Sequence, residues 1–178
     1  MSNKTIGYVI SESTGKHEKP KVIDESSHDN IVTIKATLQE ADEVNRNGRK
    51  YPKKVLDSGI KSDYIQERLK TKTLYGESGH PTQADVQRQL SIDHERISHI
   101  ITEMKWEGNL LKGVIESALT PVGKAFGGLI KQGSKVAFSM RGTGNISESK
   151  KGYVEVKSPL KLFCYDWVSK IKAQLKLF

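Results

Sequence analysis

The clearest pattern in the chain is a spacing of two. In Ile31-Val-Thr-Ile-Lys-Ala-Thr-Leu38, the residues Val32, Ile34, Ala36 and Leu38 share one face, the signature of a half-buried strand. A shorter β-rich run, Ile6 to Ile10, predicts an N-terminal strand, and the polar, turn-rich stretch 11–30 predicts a long surface loop. Asn47-Gly48 marks a turn. From Pro52 to Leu69 the apolar residues Val55, Leu56, Ile60, Tyr64, Ile65 and Leu69 fall at helical spacing, predicting one amphipathic helix, whole or broken, with Gly59 weighing against it. Arg96 to Trp106 and Leu110 to Leu119 alternate about Glu107-Gly108-Asn109 and predict a hairpin. Thr120-Pro121 then supplies an N-cap and a first-turn proline. The helix they open runs to Gln132, with Val122, Phe126, Leu129 and Ile130 on one face and Gly133 to end it. Lys135 to Ser139 reads as a short strand and Met140 to Asn145 as a Gly-rich turn, so Ser139 is expected where strand meets turn. Tyr153 to Lys157 and Leu160 to Val168 read as two closing strands, making a mostly β chain with flanking helices, of the α+β class.

Composition narrows the setting. The 178 residues, 35% hydrophobic and 28% charged, suit a single soluble domain over 1–178, without an internal repeat or a linker. No apolar run is long enough to span a bilayer, and the N-terminus lacks the pattern of an export signal. The single cysteine, Cys164, excludes an intrachain disulfide framework and fits a reducing compartment. The formal charge of +8 favours polyanions, either nucleic acid or an acidic protein surface, without choosing between them. The lysines are scattered, with a loose concentration at Lys170, Lys172 and Lys176 in a tail, 170–178, of unassigned role.

Four short motifs, in order, carry a family resemblance: Asn45-Arg-Asn-Gly-Arg-Lys-Tyr-Pro52, Tyr75-Gly-Glu-Ser-Gly-His-Pro81, Arg96-Ile-Ser-His-Ile100 and Ala137-Phe-Ser-Met-Arg-Gly142. Together they resemble the prohead core proteases of tailed bacteriophages, over roughly residues 30–170. That family is related in fold to the herpesvirus assemblin proteases. The resemblance therefore implies an assemblin-like closed β-barrel surrounded by helices. It also implies a serine endopeptidase that cleaves internal scaffold and capsid proteins in the immature head, within the bacterial host cytoplasm. Its partners would be phage scaffold and capsid proteins; nucleic acid is not required, no membrane is involved, and a homo-oligomer is allowed. Two departures are Met140, where relatives usually have a second serine, and the basic run after Ser169.

The chemistry this implies needs a hydroxyl, a base and a group that orients the base. Ser139 is the expected nucleophile and His80 its base, an imidazole able to take and return a proton near neutral pH. Neither is persuasive from its surroundings alone, since Ser139 could simply end a strand and His80 could be an ordinary turn histidine. Three residues compete for the third place: Asp166, His99 and Glu77. Asp166, about where relatives keep theirs, is a carboxylate among apolar neighbours that needs a charge-assisted partner. His99 alternates with Ile97 and Ile101, so it also reads as a core histidine. Arg141 and Gly142 are expected to stabilise the oxyanion. The Asn47-Gly48-Arg49 loop with Tyr51 is expected to brace the site rather than touch substrate. No metal-binding pattern and no cofactor loop is present, so neither metal nor cofactor is expected. Two rivals remain: a non-enzymatic basic capsid- or scaffold-associated module that keeps the protease fold, and a hydrolase of small esters. The second lacks the Gly-x-Ser-x-Gly elbow.

Overall fold

The computed structural model describes residues 8–13, 19–25, 30–82, 85–169 and 174–176. Their elements are β1 (Tyr8–Ser13), β2 (Lys21–Glu25), β3 (Val32–Glu40), β4 (Arg49–Lys50), α1 (Lys53–Ile60), α2 (Asp63–Thr71), β5 (Tyr75–Glu77) and α3 (Val86–Gln89). A 3-10 turn (His94–Arg96) follows, then β6 (Ile97–Glu107), β7 (Leu110–Ser117), α4 (Pro121–Lys131), β8 (Ala137–Glu148), β9 (Val154–Val168) and β10 (Gln174–Lys176). The strands form two five-stranded sheets, ordered β10-β1-β8-β9-β4 and β2-β3-β7-β6-β5.

One apolar cluster spans both sheets. Ile34, Leu38, Ile101 and Ile115 of the second sheet join Phe138, Met140, Leu162 and Tyr165 of the first, with Leu56 and Phe126 from the helices. The buried Tyr165 hydroxyl donates to Gln39 Oε1 across the gap (2.7 Å). Alternation explains the facing: β3 reads buried at every second residue from Val32 to Leu38, as its sequence predicted. The hairpin is also as expected, with Glu107 opposite Leu110 and Gly108 at φ +60° in the turn. α4 opens on Thr120, whose hydroxyl accepts from the Gly123 amide (2.9 Å), with Pro121 in its first turn.

Several expectations change. The implied barrel is not formed: both sheets are open, and among the described residues the seam between them is one parallel bridge, Ser78 to Trp167. The reason lies in β5, three residues long, whose register against β6 shifts between Gly76 and Glu77 before a ladder to β9 can grow. Within the loop expected over 11–30, β1 continues to Ser13 and β2 pairs with β3, while 14–18 and 26–29 lie outside the described residues. β2 gave no alternating signal because it is an edge strand whose Val22 and Ile23 stay exposed. The helix expected from Pro52 to Leu69 is two helices, divided at Ser62, whose hydroxyl caps α2.

The turn expected at Met140 to Asn145 is strand. β8 runs unbroken from Ala137 to Glu148 because its glycines suit a crowded ladder rather than a reversal: a Cβ on Gly142 would lie 2.6 Å from the Lys161 carbonyl oxygen. The two closing strands are likewise one, β9, which passes Ser158-Pro159 through a register shift opposite Thr143 to Asn145. The tail contributes β10, paired with β1; the rest of 170–178 lies outside the described residues. No helix among the described residues is long and apolar enough to cross a membrane.

The tightness of β5 is testable with two glycines. A Cβ on Gly76 would sit 2.2 Å from both His99 Nε2 and the Tyr165 carbonyl oxygen, whereas one on Gly128 of α4 meets nothing within 4 Å. Gly76→Ala is expected to cost about 3 kcal/mol or more, and Gly128→Ala to stabilise by about 0.5–1 kcal/mol. Urea denaturation of the two variants beside wild type gives both values.

Candidate active site

β8 and β9 pair antiparallel with Ser139 directly opposite Asp166. Directly opposed residues project to the same side of the sheet, so the hydroxyl and the carboxylate share one face. His80 comes from the other sheet. After β5 the chain bridges to β9 at Ser78, and Gly79, at φ +75°, donates its amide to the Trp167 carbonyl (2.7 Å). A left-handed glycine there lets the chain reverse and set the next side chain beside Asp166.

The outcome is a continuous row. Ser139 Oγ lies 2.5 Å from His80 Nε2, and His80 Nδ1 lies 2.6 Å from Asp166 Oδ2. An ionised carboxylate only accepts, so Nδ1 carries the proton it donates, and Nε2 is left to accept from the Ser139 hydroxyl. Burial by itself would raise the Asp166 carboxyl; the His80 hydrogen bond, the Arg141 charge and the Glu77 amide (2.9 Å to Oδ1) outweigh it and hold it below its ordinary value. His80 keeps some exposure, and with Pro81, Thr82, Arg88, Asp93 and Arg96 it lines a cleft of about 260 Å³.

Arg141 and Gly142 are not placed as expected. Arg141 is fully buried and its Nη donors are engaged: Nη1 donates to the carbonyls of Gln89 (2.9 Å) and Ser91 (3.1 Å), and Nη2 to Glu77 Oε1 (3.2 Å) and Asp166 Oδ1 (3.1 Å). Its Nε lies 2.7 Å from Asp166 Oδ2, an ion-pair contact that is off the angle for a hydrogen bond. Both Nη groups are thus committed within this buried network. Gly142 sits inside the ladder between Ile10 of β1 and Leu162 of β9.

His99 and Glu77, the other candidates beside His80, go elsewhere. His99 is fully buried, its ring tilted on Phe126 and edge-on to Phe138, with Nε2 3.0 Å from the Tyr165 carbonyl and Nδ1 2.8 Å from Ser98 Oγ. It is a core histidine. Glu77, also fully buried, accepts from Arg88 at both oxygens (2.9 and 2.7 Å), from Arg141, and from the Asp93 amide (2.9 Å), with Arg96 Nε at 3.4 Å. Arg88 was not singled out in the sequence. Its only signal is indirect: a buried Glu77 needs cations. Local caps deliver both arginines, since the Asp85 carboxylate accepts from the Gln87 and Arg88 amides and the Asp93 carboxylate from the Glu95 amide. The Asn45–Tyr51 loop does not brace this site. Its Arg49-Lys50 pair with Val154-Glu155, at the opposite end of β9 from Asp166.

A hydroxyl, an imidazole and a carboxylate in hydrogen-bonded sequence are the arrangement of a serine hydrolase, set here on two open β-sheets. The family profile described as prohead core protein serine protease matches residues 11–164, and the chain belongs to that family. It is similar to the prohead core protein protease of Enterobacteria phage T4, 36% identical over 132 residues, which make up 72% of this chain and 58% of that relative. The chain thus spans little more than half of that relative's length. Among solved structures it is similar to the bacteriophage T4 capsid assembly protease, with a TM-score of 0.76 and 27% identity, covering 92% of this chain and 99% of that one.

His99 has a consequence for stability. Burial pushes its imidazole down to about 4, against the nearby Asp166 charge and the Tyr165 hydrogen bond, which act in the other direction. The unfolded chain takes up a proton below about 6.5 while the folded one refuses it until about 4, so stability falls as the pH drops through that window. The loss should reach up to about 3 kcal/mol. Denaturation of wild type and His99→Asn across that range should show the slope in the first and its flattening in the second.

Proposed function

We propose that this protein is a serine endopeptidase that cleaves scaffold and capsid proteins inside the immature phage head, within the host cell. The observation that carries this reading is the unbroken row from Ser139 through His80 to Asp166. A fold retained only for binding has no need to bring these three side chains from two sheets to 2.5 and 2.6 Å. Family membership supplies the substrate class: the T4 relatives are named as a prohead core protease and a capsid assembly protease.

In the reaction, Ser139 Oγ attacks the scissile carbonyl carbon as its proton passes to His80 Nε2, forming a tetrahedral intermediate. The imidazolium is stabilised by Asp166, and Nε2 returns the proton to the departing amine, leaving an acyl group on Ser139. Water, deprotonated by the same nitrogen, then releases the acid and restores the hydroxyl. Ser139 itself is only 2% exposed, and His80 beside it lines the cleft of about 260 Å³.

Ser139→Ala is expected to lower cleavage of the cognate scaffold by about a thousandfold or more while the protein keeps its fold. A fluorophosphonate should add once to wild type, at Ser139, and not to the variant, as read by intact mass and peptide mapping. Scaffold cleavage that persists in the purified, folded alanine variant would remove Ser139 from the mechanism.

A further inference from the structure

Asp166 cannot hold its place by pairing with His80 alone. Its carboxylate is fully buried and needs both hydrogen bonds and a permanent opposite charge, whereas His80 gives it a single hydrogen bond. Arg141 offers both. The guanidinium spans the carboxylate through Nη2 to Oδ1 (3.1 Å) and Nε to Oδ2 (2.7 Å), and its other edge grips the Gln89 and Ser91 carbonyls. The guanidinium carbon lies over the Phe163 ring, 5.3 Å from its centroid. Every freedom by which Arg141 could swing away from Asp166 is taken up.

A buried guanidinium facing one carboxylate that must also serve a histidine calls for a second anion, and Glu77 provides it. Its amide donates to Asp166 Oδ1 (2.9 Å) while its carboxylate takes Arg141 (3.2 Å) and Arg88. We propose that Arg141 is a positioning residue of the reaction: it keeps the Asp166 carboxylate charged and aimed at His80, with Glu77 as its counter-anion. This rests on the serine-peptidase reading above, in which Asp166 orients the base.

The sign of the effect follows from the groups around Asp166. They are His80 from the β5–α3 loop, Arg141 from β8, Glu77 from β5, His99 from β6, and the Cys164 thiol on the same strand (3.6 Å); Arg88 and Arg96 stand behind Glu77. Removing the Arg141 cation raises the proton affinity of the Asp166–His80 pair as a unit, whichever member takes the proton. The acid limb of activity then moves to higher pH. Removing the Glu77 anion moves it the other way. A residue that only fills space, or one that binds the oxyanion, changes the height of the profile without moving its limb.

The experiment is the rate of fluorophosphonate labelling of Ser139 against pH in the full chain, for wild type, Arg141→Met, Arg141→Lys, Glu77→Gln and the Arg141→Met/Glu77→Gln double variant. Circular dichroism reports folding. Arg141→Met should label at least about tenfold more slowly at neutral pH, with its acid limb raised by about one pH unit or more. Arg141→Lys, which keeps the charge but not the fork, should lose rate with a much smaller limb shift. Glu77→Gln should lower the limb, and the double variant should return it toward wild type. A folded Arg141→Met whose limb coincides with wild type overturns the proposal. If Arg141→Met does not fold, Glu77→Gln decides, and an unmoved or raised limb there overturns it. A second readout separates this proposal from the peptidase reading: carboxyl-detected NMR titration of Asp166 in the Ser139→Ala background needs no turnover. If wild type never labels but Asp166 titrates higher in Arg141→Met, the clamp stands and the serine mechanism falls. If neither Asp166 nor His80 shifts its midpoint in Arg141→Met, the clamp is overturned directly.

Discussion

A carboxylate with no solvent contact is the constraint around which this end of the molecule is built. Placing an isolated carboxylate in an apolar interior costs many kcal/mol, so a buried Asp166 is tenable only with cations and donors around it. Arg141 brings the cation, but a guanidinium at zero exposure is itself costly and draws in Glu77. Glu77, also at zero exposure, draws in Arg88 and Arg96, and Arg88 is where the network reaches the half-open surface near Asp93. Each buried charge thus explains the next, and the series ends only where water can share the load. The cleft beside His80 is lined by Arg88, Asp93 and Arg96, so the network's solvated edge and the exposed side of His80 coincide.

The backbone supplies what side chains cannot. Register sets Ser139 opposite Asp166 in the long β8–β9 ladder, and a slip of one strand by one residue would put the hydroxyl and the carboxylate on opposite faces. The bridge at Ser78 and the left-handed Gly79 hold His80 from the other sheet. Gly76 lets β5 come close enough for the Glu77 amide to reach Asp166, since any Cβ there would strike His99 and the Tyr165 carbonyl. An open pair of sheets serves this geometry better than a closed barrel. A continuous ladder from β5 to β9 would bind the Gly79 and His80 backbone in regular pairing and deny the loop its turn.

What was legible in the sequence follows the range of the interactions. β3, the β6–β7 hairpin and α4 are specified by alternation, a two-residue turn and a cap with proline, all contained in a dozen residues or fewer, and each was read correctly. β2 was missed because an edge strand with exposed Val22 and Ile23 carries no burial pattern. β8 was cut short because Gly142 and Gly144 look like a turn, and the pressure that makes Gly142 a strand residue comes from Lys161, far along the chain. At the site, Ser139 and His80 were named from ordered motifs and Asp166 as a carboxylate among apolar neighbours about where relatives keep theirs, whereas the partners of Arg141 were invisible because contacts such as Arg141 to Gln89 exist only once the chain has folded. The engagement of Arg141 with Glu77 and Asp166 was hidden for the same reason: an arginine two residues after a serine in a strand shares its face, but nothing local says that two carboxylates lie in wait.

The two histidines show how far environment, rather than residue type, decides chemistry. His80 and His99 both sit within hydrogen-bond reach of β9, one at the Asp166 carboxylate and the other at the adjacent Tyr165 carbonyl. His99 is enclosed by Phe126, Phe138 and the Gly76 backbone, where no ion can be solvated, and its proton affinity falls accordingly. It can hold strands together but cannot accept a proton during a reaction at neutral pH. His80 has the opposite arrangement: a carboxylate on one nitrogen to stabilise an imidazolium, a hydroxyl on the other, and solvent at its edge. The same side chain thus has two uses at this end of β9: His99, packed on Phe126 and Phe138, ties β6 to the Tyr165 carbonyl, while His80 joins the Asp166 carboxylate to the Ser139 hydroxyl.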